Sequence, residues 1–220
     1  MKSVLPQAKD WNHFWGLEET QSFTKLSWSK RRILALTQSF LRPGTAILDA
    51  GCGSGFFAEY FWRQGMDATA VDYAEEALRI TRERTQGKIP VIKTDLIQTS
   101  LSSVCSSAFD VIFTDGLLEH FTEQDQDRIL QNFKSVLKTE GVIITFVPNQ
   151  FSPWELIRPF YMPGIVEKPF TLKRLIRLNE RNELKIIGCG GTNTLPFRFS
   201  PDKVIGSCFG MLLYTFAKKS

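Results

Sequence analysis

The sequence has little of what usually marks a metal, disulfide or membrane protein. Its 220 residues include two histidines and four cysteines. Cys52, Cys105, Cys189 and Cys208 stand far apart and form no CxxC pair. That argues against a disulfide framework and a structural zinc site, and for thiols of a reducing compartment. No apolar run is long enough to span a bilayer. The opening stretch MKSVLPQAKDWNHFWG lacks the continuous apolar core of a secretory signal, so the expected location is cytoplasmic. A net charge of +4, spread along the chain, leaves no concentrated footprint for nucleic acid. There is no internal repeat and no low-complexity tract.

What is present is alternation. Apolar runs of strand length take turns with segments of helical period. SKRRILALTQSFL places Ile33, Leu36, Thr37 and Phe40 on one helical face. TAILDAG, MDATAVD, IPVIKTD, FDVIFTDG and GVIITFVPN read as five buried strands, with ELKIIGCGG and MLLYTFAKK as two late ones. GFFAEYFWRQG and AEEALRITRERTQG read as helices closed by glycine. Thr122 is expected to cap a helix ended by Gly141, and Thr171 to cap TLKRLIRLNERN. Strands alternating with helices mean right-handed crossovers and a mostly parallel sheet covered on both faces. The chain therefore reads as one α/β domain over residues 1–220. Two aromatic stretches break the rhythm, residues 1–29 and 150–170. They are expected to fold over the carboxyl edge of the sheet as a lid and a small cap, since ligands of open α/β sheets bind there.

The stretch ILDAGCGSG, residues 47–55, is the first chemical signal. Gly53-Ser54-Gly55-Phe56-Phe57-Ala58 fits GxGxxA, a dinucleotide fingerprint, with Asp72 near the distance of a ribose acid. An NAD-dependent dehydrogenase is therefore one reading. Asp49 opposes it, because a carboxylate beside the helix N-terminus repels a diphosphate. S-adenosylmethionine carries a sulfonium and an ammonium instead, and carboxylates near that half are favourable. Glycines at 51, 53 and 55 let the backbone approach a ligand closely. Asp49, Asp72, Asp95 and Asp115 then place an acid at four successive strand ends. Acids also cap helices in any α/β protein, which accounts for one or two of these more easily than for all four.

ILDAGCGSG, VDYAEEAL, IKTDL, FDVIFTDGLLEHF and LKTEGVIITFVPN resemble, in order, the motifs of class I S-adenosylmethionine-dependent methyltransferases. FDVIFTDGLLEHF is similar to the small-molecule branch that includes quinone-biosynthesis methyltransferases. The resemblance covers about residues 30–150. It implies a Rossmann-like, mostly parallel seven-stranded sheet with an antiparallel last strand, and S-adenosylmethionine as cofactor with S-adenosylhomocysteine as product. It implies that Asp49, Gly51, Cys52, Gly53 and Gly55 line the methionine part and ribose. It implies that Asp72 holds the ribose hydroxyls beside Tyr73, that Asp95 and Leu96 meet the adenine, and that the Thr114 carbonyl meets the ammonium. Asp115 departs from the branch, where small or polar residues are common; it is expected to face the methyl group or the substrate.

Methyl transfer is an in-line displacement, and a protein accelerates it mainly by placing the acceptor behind the methyl group. A base is needed only when the acceptor loses a proton. His120 is the first candidate, with Asp115 beside it and His13 as a weaker alternative. Packing or capping by Glu119-His120 is the competing role. Asp115 and Asn149 offer oxygen ligands, but without a third no metal is expected. Trp11, Phe14, Trp15, Trp154, Phe160 and Tyr161 suggest an apolar pocket roof for a small aromatic or apolar acceptor. Lys168, Lys173, Arg174, Arg177, Arg181 and Lys185 make the late helix basic, either as a solvated face or toward an anionic substrate or lipid surface. A non-catalytic subunit that binds the cofactor without turnover is a third reading. Nucleic acid is not an expected partner, and oligomeric state is not readable.

Overall fold

The computed structural model describes residues 8–161 and 165–219. Residues 1–7 of the expected lid and 162–164 of the expected cap lie outside the described residues. In chain order come α1 (Ala8–Trp15), a 3-10 turn (Glu18–Thr24), α2 (Trp28–Thr37), β1 (Ala46–Ala50), α3 (Phe56–Arg63), β2 (Asp67–Asp72) and α4 (Glu75–Arg84). There follow β3 (Val91–Lys93), α5 (Leu101–Val104), β4 (Phe109–Asp115), a 3-10 turn (Leu118–His120), α6 (Glu123–Val136) and β5 (Leu137–Pro148). The chain continues with α7 (Trp154–Tyr161), α8 (Leu172–Arg181), β6 (Leu184–Thr192), α9 (Asp202–Phe209) and β7 (Leu212–Lys219).

One seven-stranded sheet has the order β3-β2-β1-β4-β5-β7-β6. The first five strands are parallel, and β7 runs antiparallel to both of its neighbours, β5 and β6. Strand alternation divides the apolar residues between two cores. Leu48, Ile112 and Ile143 sit side by side in register and face α5, α6 and α8. Ile47, Val111, Phe113 and Ile144 face α2 and α3. The second core is aromatic. Phe113 lies with its ring centroid 4.6 Å from Phe57 and 5.3 Å from Phe61, which fixes α3 directly behind the glycine turn.

The caps form as the sequence indicates. The Thr122 side chain accepts from the Asp125 amide, and that of Thr171 from Arg174. Gly141 does not end α6, however. The helix stops at Val136, and β5 starts at Leu137. Its register jumps from Phe109–Leu137 to Val111–Val142, so the intervening residues bulge. A side chain at 141 would press on Leu137 at 2.6 Å; glycine is needed there for the bulge rather than as a helix stop.

Among the elements absent from the sequence reading is α9, which Pro201 and Gly206 disguise as loop. The reason for Gly206 is contact. A Cβ there would lie 2.2 Å from the Gly191 carbonyl oxygen, and one on Gly191 would lie 2.0 Å from that of Gly206. Backbone meets backbone where α9 crosses β6, and neither side has room for a methyl group. Gly206→Ala is therefore expected to cost roughly 1–3 kcal/mol, read as a fall in Tm of about 2–4 °C per kcal/mol for a chain of this size. An unchanged Tm in thermal unfolding would show that the contact is looser than described.

Candidate functional site

The carboxyl ends of β1, β2 and β4 open onto a cavity of about 900 Å³. Its floor is the turn after β1. The Gly51 and Cys52 amides donate to the Val71 carbonyl, at 2.9 and 3.1 Å, which pins the turn to β2. The Gly53 amide donates to Asp72 Oδ2 at 3.0 Å, and the Ala74 amide to Oδ1 at 2.9 Å. Asp72 therefore joins the glycine turn to the start of α4. Gly53 has φ of 46° and lies under the Trp15 indole, which a Cβ would strike at 2.5 Å. Gly55 has φ of 67° and backs onto Thr81 of α4, 2.7 Å from where its Cβ would be.

The N-terminal segment forms one wall. Trp11, Phe14, Trp15 and Phe23 line the cavity, and Asn12 Oδ1 accepts from the Glu76 amide at 3.0 Å, holding α1 against α4. Trp154 lines it from the cap side. Phe160 does not belong to this roof. It is 84% exposed and points to solvent, because α7 turns its apolar face outward. The Tyr161 side chain lies outside the described residues.

The cavity gathers most of the residues singled out from the sequence. Asp49, Gly51, Cys52, Gly53, Asp72, Tyr73, Asp95, Leu96, Asp115 and His120 all line it. Gly55 and Thr114 do not. Gly55 serves the helix–helix contact, and Thr114 is fully buried in β4 with Oγ1 unpaired. Asp95 Oδ1 accepts from the Ile97 amide at 2.8 Å. Cys52 is buried against Thr81 Oγ1 at 3.3 Å, and burial raises its thiol pKa, which makes it unreactive. His13 is exposed and outside the cavity wall. Asn149 is spent on structure outside the cavity wall, its Nδ2 donating to the Cys208 and Gly210 carbonyls and its Oδ1 accepting from the Phe151 amide.

Burial sets the electrostatics. Asp49 is 2% exposed and its Oδ2 has no partner. Desolvation pushes its carboxyl up to about 8; a backbone hydrogen bond at Ala58 opposes the rise, and the charges of Asp115 and Asp72 add to it. Asp115 rises to about 6 through burial, held down by the nearby Lys30 ammonium. Lys30 falls to about 8, again chiefly through burial. It lies 4.0 Å over the Phe56 ring, and its ammonium donates to the Phe23 and Lys25 carbonyls. His120 falls to about 4 through burial, so the ring is neutral at pH 7. Its Nδ1 donates to the Val166 carbonyl at 3.2 Å, and Trp11 meets its ring edge-on at 4.7 Å.

Two features were not legible in the sequence. Lys30 is one of three consecutive cations, and only the tertiary fold shows that it lines the cavity while Arg31 is exposed. The other is an acidic cluster between the 118–120 turn and the cap. Glu119 is buried, with its carboxyl pKa raised by desolvation and by the charge of Glu167, itself raised to about 7. Arg158 Nε stands 3.3 Å from both Glu155 and Glu167. Glu119, His120 and Glu167 each bring one ligand atom within 4.8 Å of the others, which among the described residues is the set able to hold a cation. Glu167 arrives from the cap, so local spacing could not reveal it.

The residues suit a cationic nucleoside ligand. Asp49 offers an orphaned buried acceptor at the cavity wall, beside the glycine turn. Comparison with known proteins agrees. Residues 47–141 match the model of a methyltransferase domain. The ubiquinone biosynthesis O-methyltransferase of Actinobacillus pleuropneumoniae serotype 7 (strain AP76) is 30% identical over 139 residues, 60% of this chain and 55% of that protein. The chain spans about half the length of the curated relatives it matches. A SAM-dependent methyltransferase of Archaeoglobus fulgidus superposes with a TM-score of 0.69 at 21% identity, covering 91% of this chain and 97% of that one. The N-methyltransferase NodS of Bradyrhizobium japonicum WM9, solved with S-adenosyl-L-homocysteine, gives 0.68 at 15% identity over 96% and 97%. The structures speak for the fold, and the domain match for residues 47–141. Acids at successive strand ends around a glycine turn thus coincide with a stretch, residues 47–141, that is similar to a methyltransferase domain, on a fold shared with methyltransferases of known structure.

Proposed function

We propose that the protein transfers a methyl group from S-adenosylmethionine to a small apolar or aromatic molecule in a cytoplasmic setting. The observation that carries this is the desolvated Asp49 carboxyl beside the glycine turn, a site for a cation and a poor one for a diphosphate. The GxGxxA fit of Gly53–Ala58 is what speaks for a dehydrogenase, and the Asp49 carboxyl beside that turn speaks against it. Asp49 and Gly51–Gly53 would line the sulfonium half and Asp72 the ribose hydroxyls. Tyr73, Asp95 and Leu96 would lie along the adenine. Lys30 is placed to meet a carboxylate on the ligand or on the acceptor. When bound, the cofactor supplies the electrophilic methyl group. The chain supplies orientation, exclusion of water by Trp11, Trp15 and Trp154, and a proton acceptor where the substrate needs one.

Asp115 is the better acceptor of the two candidates. Its pKa of about 6 keeps it ionised at neutral pH yet basic enough to take a proton, whereas His120 at about 4 is a weak base. The relatedness to ubiquinone O-methyltransferases favours a phenolic hydroxyl as the acceptor group.

Three measurements test this reading. Calorimetric titration is expected to give one site for S-adenosylhomocysteine and none for NADH. Asp72→Ala should weaken binding roughly ten- to hundredfold, and binding of NADH alone would overturn the assignment. A second concerns Asp49, whose carboxyl is protonated below about pH 8. A cationic ligand favours its anion, so binding expels a proton. Affinity for S-adenosylmethionine should climb with pH by at most about tenfold per unit, then level off above about 8. In Asp49→Asn the slope should flatten toward that of the ligand alone; an unaltered slope would remove Asp49 from the linkage. Third, kcat/KM for a phenolic acceptor should decline as pH drops below about 6. Asp115→Asn should reduce it roughly 100-fold or more, with His120→Ala costing less; the reverse ranking would make His120 the base.

A further inference from the structure

The large apolar side chains exposed among the described residues are unevenly placed. All but Tyr73 and Ile187 belong to three segments, 26–28, 151–166 and 195–209. The most exposed are Leu156, Phe160, Phe199 and Val204, each at least 80% open to solvent, followed by Phe197 and Phe151. The topology puts all three segments on one edge of the sheet. β5 and β6 run in the same direction, and Pro148 and Thr192 both pair with Leu212. The segments leaving β5 and β6 and the one entering β7 therefore share the carboxyl edge. Side-chain bonds join them. The Asn149 amide group donates to the Cys208 and Gly210 carbonyls. Asn193 Nδ2 donates to Ser29 Oγ at 2.7 Å, and Arg32 donates to the Leu195 carbonyl at 2.8 Å.

The exposed charges in and beside these segments are of one sign. Lys25, Arg31, Arg198 and Lys203 are exposed there. The acids Glu155, Glu167 and Asp202 are each taken up by an arginine, Arg158 or Arg32. Two of the cations accompany aromatic rings, Arg31 over Trp28 and Arg198 over Phe199, both at about 5.6 Å. Protein interfaces are depleted of lysine. Here single apolar side chains protrude from a short helix and a loop among lysines and arginines, the pattern of a surface that inserts into the boundary layer of an anionic bilayer. The same segments line the cavity through Ser27 and Trp154, and the residues that flank them through Ser29, Met211 and Leu212.

We propose that the carboxyl edge of the sheet is a peripheral docking surface for an anionic lipid bilayer, with α7, the loop at 195–201 and the start of α9 as its inserting elements. Docking needs neither cofactor nor catalysis, so it stands or falls apart from the methyl-transfer reading. The test is co-sedimentation of the full chain with vesicles of equal parts phosphatidylglycerol and phosphatidylcholine, against vesicles of phosphatidylcholine alone. Binding to the anionic vesicles is expected, weakened by about 0.5 M salt. Leu156→Ser/Phe160→Ser and Phe199→Ser/Val204→Ser should each lower the partition coefficient tenfold or more, and Arg198→Glu/Lys203→Glu should remove the preference for anionic lipid. Tm and S-adenosylhomocysteine affinity should be unchanged in all three. Absent binding to anionic vesicles, or binding unaltered in these variants, would overturn the proposal. So would a concentration-dependent dimer in sedimentation equilibrium that the serine variants abolish, because a second copy would then cover the face.

Discussion

A carboxyl group held almost wholly away from water is the constraint around which the rest is arranged. Asp49 sits in an inner strand, β1, with one oxygen unpaired, between the aromatic core on its own face and the acids at the neighbouring strand ends. Leaving such a group buried is unfavourable unless something with the opposite charge arrives. Among the described residues no cation offsets Asp49, and the Lys30 ammonium acts on Asp115 instead. The site is therefore incomplete by itself in an electrostatic sense. Asp72, by contrast, is occupied twice over, on Gly53 and on Ala74, and acts as the brace that keeps the glycine turn in shape for whatever approaches it.

Around that centre each peripheral segment has two sides. α1 presents Trp11 and Trp15 to the cavity and Asn12 to α4. The cap ties itself to the 118–120 turn through the Lys168 amide on the Glu119 carbonyl and through His120 on Val166. Its α7 sends Trp154 inward and Leu156 and Phe160 outward. The aromatic content of these segments, which the sequence made conspicuous, thus serves two surfaces rather than one roof.

How much was legible depended on how local the signal was. Sheet, strand ends and helix caps follow from period and from capping residues, and Asp49, Asp72, Asp95 and Asp115 could be placed because strand ends are fixed by the same pattern. Gly141 was misread because a glycine after a helical stretch signals a stop, and a β-bulge with Leu137 folded under it has no sequence signature of its own. Phe160 was misread because an aromatic residue says nothing about which face of an isolated helix it occupies. Lys30, Glu167 and Arg158 depend on segments distant in sequence meeting at one point, and spacing along the chain does not encode that. α9 was hidden by Gly206, whose purpose is close approach to Gly191 and so appears only when β6 is beside it.

The place of β7 has a consequence for how the molecule comes into being. It is the last strand in sequence, yet it lies between β5 and β6. Until it inserts, β6 has no neighbour to bond with, and both edges facing the gap carry a full row of unpaired amides and carbonyls. Leu212, at its start, is also part of the cavity wall. As the chain emerges from the ribosome, the glycine turn and its acids can assemble early, while the chamber they belong to stays open on one side. The binding site is thus finished only by the final insertion, a non-local step that is intrinsically slow and leaves sticky edges exposed meanwhile. A ligand that needs all walls of the cavity would find its site only on chains that have completed that step.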